Sequence, residues 1–171
     1  MGNIDEPVFD GDSQGEKSAG PDDPALSQKI RDLVDGQLYG VLCTHGEGQS
    51  YGSLVAFAFT PDLRLAAFAT PVATRKYKLL TECRNVALVI DNRPQYIDDM
   101  MKIAALTVTG EAEEVSDGDL RGQYAQLLIG RHPNLASFVN SPSCAVFKID
   151  VIRYFHVSRF QEVGQWVPPS H

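Results

Sequence analysis

The residues best suited to chemistry fall in one stretch, Ala67-Phe68-Ala69-Thr70-Pro71-Val72-Ala73-Thr74-Arg75-Lys76-Tyr77-Lys78-Leu79-Leu80. Arg75, Lys76 and Lys78 place three cations in four consecutive positions, which no other four-residue window of the chain does. The apolar run from Leu63 to Ala69, interrupted only by Arg64, reads as a buried strand. A Thr/Pro turn follows, and Tyr77, Leu79 and Leu80 then give the next segment helical spacing. The cations therefore belong to the first turn of a helix, where backbone N–H groups lack partners and carry a partial positive charge. With the hydroxyls of Thr70 and Thr74 beside them, such a corner suits an anion, most naturally a phosphate. The same residues would also serve as a solvated basic helix face, and this stretch alone does not separate the two.

Elsewhere the chemistry-bearing residues are scattered. Cys43, Cys83 and Cys144 are odd in number and far apart, and no C-x-x-C pair or His-Cys cluster of zinc spacing accompanies them. They read as reduced thiols in or near the core of a cytosolic protein, and no metal site is expected. Of the four histidines, His171 is terminal, His45 sits at a turn and His132 precedes a proline. Only His156 lies in an apolar-rich run, where a lone histidine reads as structural. There is no Rossmann glycine fingerprint, so a pyridine nucleotide would bind only transiently.

The formal net charge of −7 is concentrated at the start. Asp5, Glu6, Asp10, Asp12, Glu16, Asp22 and Asp23 face a single base, Lys17, in a segment rich in Gly and Ser. Residues 1–23 are thus expected to form a disordered, solubilising acidic tail. The remaining residues carry 15 acids and 14 bases, a near-neutral body that argues against nucleic-acid binding. No apolar run approaches the ~20 residues that span a bilayer, and the first residues lack the apolar block of a secretory signal. Met-Gly at the start is no myristoylation signal, because Glu6 stands where Ser or Thr is wanted. The expected location is the cytoplasm.

Order is expected from about Pro24. Leu26, Ile30, Leu33 and Val34 mark an amphipathic helix, which Asp22 or Asp23 can cap and Gly36 can end. Strands follow over Leu38–Thr44 and Tyr51–Phe59, joined by the turn His45-Gly46-Glu47-Gly48. In the second of these, Val55, Phe57 and Phe59 share a core-filling face. Gly52, Leu54, Ala56 and Ala58 form a small, flat opposite face that admits a partner chain, a planar ligand or a covering helix. After the basic helix, Val86–Ile90 reads as a strand, Gln95–Lys102 as a loop or edge, and Ile103 to about Val115 as a long strand with Thr107, Thr109 and Glu111 on one face. A helix carries Leu120, Tyr124, Leu127 and Leu128, and a short one beginning at Pro133 carries Leu135, Phe138 and Val139. Cys144–Ile149 and Arg153–Ser158 read as the last two strands, and 160–166 closes the ordered chain, leaving a short tail over 168–171. Strands outnumber helices and tight turns join most neighbours. The fold class is therefore mainly β (α+β), an antiparallel, closed or nearly closed barrel with peripheral helices.

In the order of these elements the chain resembles the FMN-binding split β-barrel family that includes pyridoxamine 5′-phosphate oxidases, with its Greek-key-like barrel. The likeness covers about Leu26 to Trp166 and rests on three stretches. Gln49-Ser50-Tyr51-Gly52-Ser53-Leu54-Val55-Ala56-Phe57 resembles the strand whose backbone lies along the isoalloxazine. Phe68-Ala69-Thr70 with Thr74-Arg75-Lys76-Tyr77-Lys78-Leu79-Leu80 resembles the corner that holds the FMN phosphate. Ala105-Leu106-Thr107-Val108-Thr109-Gly110-Glu111-Ala112 is similar to the strand before the family's second helical segment. True vitamin B6 oxidases carry further cations on the first stretch, where Tyr51–Phe57 has none, and end in an Arg- and His-bearing segment. Here only Val-Pro-Pro-Ser-His follows Trp166, so the resemblance is to the smaller members.

The resemblance implies a flavin-binding domain over 24–167 and FMN held at a homodimer interface, with the flavin carrying the redox chemistry of an oxidoreductase or flavin reductase acting on a small-molecule substrate or electron donor. It assigns Arg75 and Lys76 to the phosphate, Thr70 and Thr74 to supporting hydrogen bonds, and the backbone of Ser53, Leu54 and Val55 to the ring edge. Trp166 either packs near the ring from the partner chain or serves as an ordinary anchor. Two other classes fit the same barrel. One is a haem-binding or haem-utilisation protein with His156 or His132 as axial ligand, and the other is a flavin-binding module without turnover.

Overall fold

The computed structural model describes residues 23–159 and 162–169. Apart from Asp23, the expected acidic tail lies outside the described residues. Asp23 belongs to the first helix, α1 (Pro24–Gly36), which its carboxylate caps by accepting from the amides of Ala25 at 2.9 Å and Leu26 at 3.3 Å. The four apolar residues that predicted this helix are all buried. They stopper one end of a barrel built from β1 (Tyr39–Gly46), β2 (Gln49–Phe59), β3 (Leu65–Pro71), β4 (Asn85–Asp91), β5 (Ala104–Glu114) and β6 (Cys144–Ser158).

The strand order is β3-β2-β1-β4-β5-β6, all pairings are antiparallel, and β3 pairs with β6 to close the ring. The first three strands form a meander. Helix α2 (Arg75–Glu82) then carries the chain from β3 past β2 to β4 on the far side of β1. Helices α3 (Gly118–Arg131) and α4 (Ala136–Val139) bridge β5 to β6 outside the barrel, and β7 (Glu162–Trp166) adds a seventh strand to β6.

Two apolar clusters follow from this layout. Inside the barrel lie Leu42, Phe57, Phe68, Leu88, Ile90, Leu106, Phe147 and Tyr154 under the cap of α1. Complete burial of side chains this large contributes about 1.5–3 kcal/mol each. Outside it, Ala58, Ala67 and Val146 of three adjoining strands pack under Tyr124, Ala125, Leu128 and Val139. The small face of β2 is thus divided: α3 covers Ala58, while Leu54 remains 68% exposed. The covering-helix reading therefore holds at the Ala58 end of the strand.

One expectation changes. The last strands are not separate: β6 is one strand of 15 residues. Its register with β5 slips between the pairs Thr109–Arg153 and Gly110–Val151, so Ile152 is an extra residue. At this bulge β6 changes partners, with Cys144–Asp150 on β3 and Tyr154–Ser158 on β7. The bulge bends the strand, and a bent strand leaves the barrel without ending. Gln95–Lys102, read as a loop or edge, is a loop, bounded by two short 3₁₀ turns, Arg93–Gln95 and Met100–Lys102. All three cysteines are free, with Cys144 buried.

A cationic corner and an apolar groove

Strand β3 delivers the chain to the basic corner with Ala66, Ala67, Phe68 and Thr70 all buried. The amide of Val72 donates to the Ser143 carbonyl at 3.0 Å, tying the turn to the start of β6. Thr74 caps α2. Its hydroxyl donates to the Pro71 carbonyl at 2.8 Å and accepts from the Tyr77 amide at 3.2 Å. The Thr70 hydroxyl lies 3.1 Å from that of Thr74. With its one proton directed to Pro71, Thr74 is the acceptor of this pair, which leaves it no donor to spare. These hydroxyls set the shape of the corner; the amides of Arg75 and Lys76, at the start of the helix, have no intrahelical acceptor.

Packing explains why α2 lies where it does. Leu79 and Leu80 are buried, and the Tyr77 hydroxyl donates to the Glu114 carboxylate at 2.9 Å. A Cβ at Gly46 would meet the Leu79 side chain at 2.6 Å, so a larger residue at the end of β1 would push Leu79 from its present position. The three cations then separate. Lys78 faces Glu47 at 3.9 Å and Glu82 at 3.6 Å on the solvent side. The Arg75 guanidinium lies over the Tyr51 ring of β2, 5.2 Å from its centroid. Lys76 is half-buried, has no acidic partner among the described residues, and its ammonium is pushed below the usual lysine pKa by desolvation.

Lys76 opens into a groove of about 320 Å³ between β2 and the outer helices. Leu54, Val55 and Ala56 form one side, Ala69 and Pro71 the end nearest the corner, and Leu128, Leu135, Phe138 and Val139 the opposite wall. Of the residues singled out from sequence, the structure therefore brings Lys76, Leu54 and Val55 together, with Thr70 and Thr74 shaping the adjoining corner. The Ser53 hydroxyl is buried without a hydrogen-bond partner among the described residues. Trp166 lies apart: it is 7% exposed and packs on Tyr154 of its own barrel with ring centroids 5.4 Å apart. That arrangement fits the anchor reading. Sequence reasoning missed Tyr51 and the helical wall. The wall residues had the right apolar spacing but read only as core, and nothing in the sequence joined them to Lys76.

A family model described as pyridoxamine 5′-phosphate oxidase matches residues 26–158. The chain belongs to that family. No curated protein sequence matches the chain. Among solved structures, a haem-binding protein from Mycobacterium smegmatis superposes with a TM-score of 0.75 at 16% identity, over 85% of this chain and 59% of that one. This chain thus spans under two thirds of that protein. A pyridoxamine 5′-phosphate oxidase-like protein from Listeria innocua gives 0.58 at 18% identity, over 75% and 95% of the two chains. An FAD-binding protein from Mesorhizobium loti gives 0.58 at 14% identity, over 76% and 92%. At these identities the likenesses carry the fold shared with the oxidase family. No described helix is long and apolar enough to cross a membrane.

Proposed function

We propose that this member of the oxidase family is an FMN-binding oxidoreductase or flavin reductase, with the cofactor held between two copies of the chain. The observation that carries the reading is Lys76: a half-buried cation that has no acidic partner among the described residues, beside two helix-start amides without an intrahelical acceptor and lining an apolar groove. Burying a charge is costly unless it is paired, and a phosphate would supply the partner. The residues present fit FMN in both respects, a cation with amides for the phosphate and an apolar groove for the ring. Bound there, the flavin would supply the electron-transfer chemistry. The protein's part is to anchor the phosphate through Lys76 and Arg75, to place the ring edge against the backbone of Ser53, Leu54 and Val55, and to exclude water with Leu128 and Phe138.

The dimer reading is supported by what adjoins the groove. Through Tyr39 and Leu54 it continues into a second depression of about 530 Å³, also lined by Leu38 and Ile97. Leu38, Tyr39, Leu54 and Ile97 are 51%, 54%, 68% and 80% exposed. Contiguous exposed apolar surface of this kind marks an association site, and a second copy would cover it.

The haem reading has one observation in its favour, the fold shared with the M. smegmatis haem-binding protein. Of its two candidate ligands, His132 is committed: its Nε2 lies 2.8 Å from the Phe57 carbonyl in a buried site. Only His156 remains. An absorbance spectrum of the purified protein, with mass analysis of the released cofactor, tests both readings. Flavin bands and the mass of FMN are expected; a Soret band would replace the flavin reading with the haem one.

A further inference from the structure

The hydroxyl donors of the cationic corner are already spent. Thr74 directs its proton to the Pro71 carbonyl at 2.8 Å, and Thr70, 3.1 Å from Thr74, has that hydroxyl oxygen as its acceptor. A phosphate at the start of α2 would thus meet amides and cations but no hydroxyl donor from either threonine. Ser53 differs from both. Its hydroxyl oxygen is buried and has no hydrogen-bond partner among the described residues. Buried polar groups are nearly always paired, and an orphaned one is destabilising.

The fold places this hydroxyl beside the corner. Tyr51, Ser53 and Val55 alternate onto one face of β2. The Arg75 guanidinium lies over the Tyr51 ring, and Val55 lines the groove into which Lys76 opens. Ser53 therefore sits on the strand between the residues that meet the two cations. β2 pairs with β3 only over Phe57–Phe59, so at Ser53 the two strands have parted, and Arg75 reaches across to Tyr51 from the β3 side. On the other side Ser53 is registered with Leu42, whose side chain is fully buried and apolar. We infer that Ser53 is the hydroxyl donor of the phosphate site, completing the set formed by Lys76, Arg75 and the first amides of α2. Rotation about its one Cα–Cβ bond re-aims the hydroxyl toward an anion held there. The inference rests on the flavin reading, and it gives a role to a side chain of which that reading used only the backbone.

The test compares full-length wild type with Ser53→Ala, both freed of cofactor, in two measurements. In fluorescence titration the variant should bind FMN at least about tenfold more weakly, as loss of one charge-assisted contact implies. Riboflavin, which lacks the phosphate, should bind both proteins equally. In urea the ligand-free variant should have a midpoint equal to or above that of wild type, because alanine removes a hydroxyl that has no partner to lose. A serine with a purely structural role would do the reverse, lowering the midpoint and leaving FMN affinity unchanged. The inference is overturned, with the flavin reading left standing, if the variant keeps FMN affinity within about twofold of wild type. Equal weakening of FMN and riboflavin overturns it in the same way, and so does a lower midpoint for the ligand-free variant, which would reveal a partner inside the protein. A wild type that binds neither flavin overturns both the inference and the flavin reading.

Discussion

Lys76 and Arg75 differ in how firmly they are held, and this orders their expected effects. Lys76 is half-buried and has no acidic partner among the described residues, whereas Arg75 is exposed and rests on Tyr51. A charge-assisted hydrogen bond is worth about 1.5–3 kcal/mol, or roughly one to two decades in affinity. Lys76→Ala should therefore weaken FMN by about that much, and Arg75→Ala/Lys76→Ala by roughly two to four decades if the effects add. Riboflavin, which lacks the phosphate, should bind wild type and double variant equally, as fluorescence titration would read out. Retention of FMN at wild-type affinity by the double variant would reduce the corner to a solvated basic face. Thr74→Ala tests a separate role. It removes the cap of α2 and should lower stability by about 1 kcal/mol, measured as a shift in the urea midpoint.

At the scale of elements, the outer helices and the barrel are joined by few polar links, so each counts. The Arg131 guanidinium, at the end of α3, donates to the carbonyls of Val34 at 2.6 Å, Asp35 at 3.2 Å and Gln37 at 2.7 Å, and lies over the Phe57 ring. It satisfies the carbonyls that end α1 and binds α3 to α1 across the barrel wall. Arg131→Ala should cost about 1–3 kcal/mol, since three carbonyls, two of them part-buried, lose their donor at once; a loss within about 0.5 kcal/mol in chemical denaturation would show that water replaces the side chain. His156 gives the β6 end of the barrel a pH dependence. Its folded-state pKa is lowered below 6.5, first by burial and then by Lys29, with Glu162 opposing. The unfolded chain then takes up the proton more readily than the folded one. The contribution is fully present above about pH 6.5 and is lost as pH falls through the lower folded-state value. The urea midpoint of wild type should therefore drop more between pH 7.5 and pH 5 than that of His156→Gln. Parallel profiles for the two proteins would contradict this.

At the scale of the whole molecule, the exposed strip from Leu38 to Ile97 and the groove at Lys76 meet at Leu54. Dimerisation and cofactor binding should consequently fail together. Leu54→Glu is expected to sediment as a monomer and to lose flavin while its far-ultraviolet spectrum stays that of the wild type, because Leu54 is 68% exposed and outside the core. A dimeric Leu54→Glu that keeps its cofactor would separate the strip from the site. Deletion of residues 1–22 should change neither flavin content nor melting temperature, since that acidic segment offers little apolar surface to offset the entropy of ordering it.

What the sequence determined is whatever short-range physics controls. Apolar runs and alternation located the barrel strands though not β7, Leu26, Ile30, Leu33 and Val34 located α1, and Thr74 followed by Arg75 and Lys76 marked the start of α2. These signals depend on neighbours within a few residues, so they survive without knowledge of the fold. Only the tertiary structure decided how such pieces combine. Lys78 is equivalent to Lys76 in sequence, yet two positions along a helix turn it to Glu47 and Glu82 while Lys76 faces the groove. Leu54 and Ala58 occupy the same face of β2, yet α3 reaches only the second. The continuity of β6 through Ile152 was likewise hidden, because a bulge is defined by its partner strand rather than by its own residues. Local spacing fixes which way a side chain leaves its own element, whereas what it meets depends on elements distant in the chain.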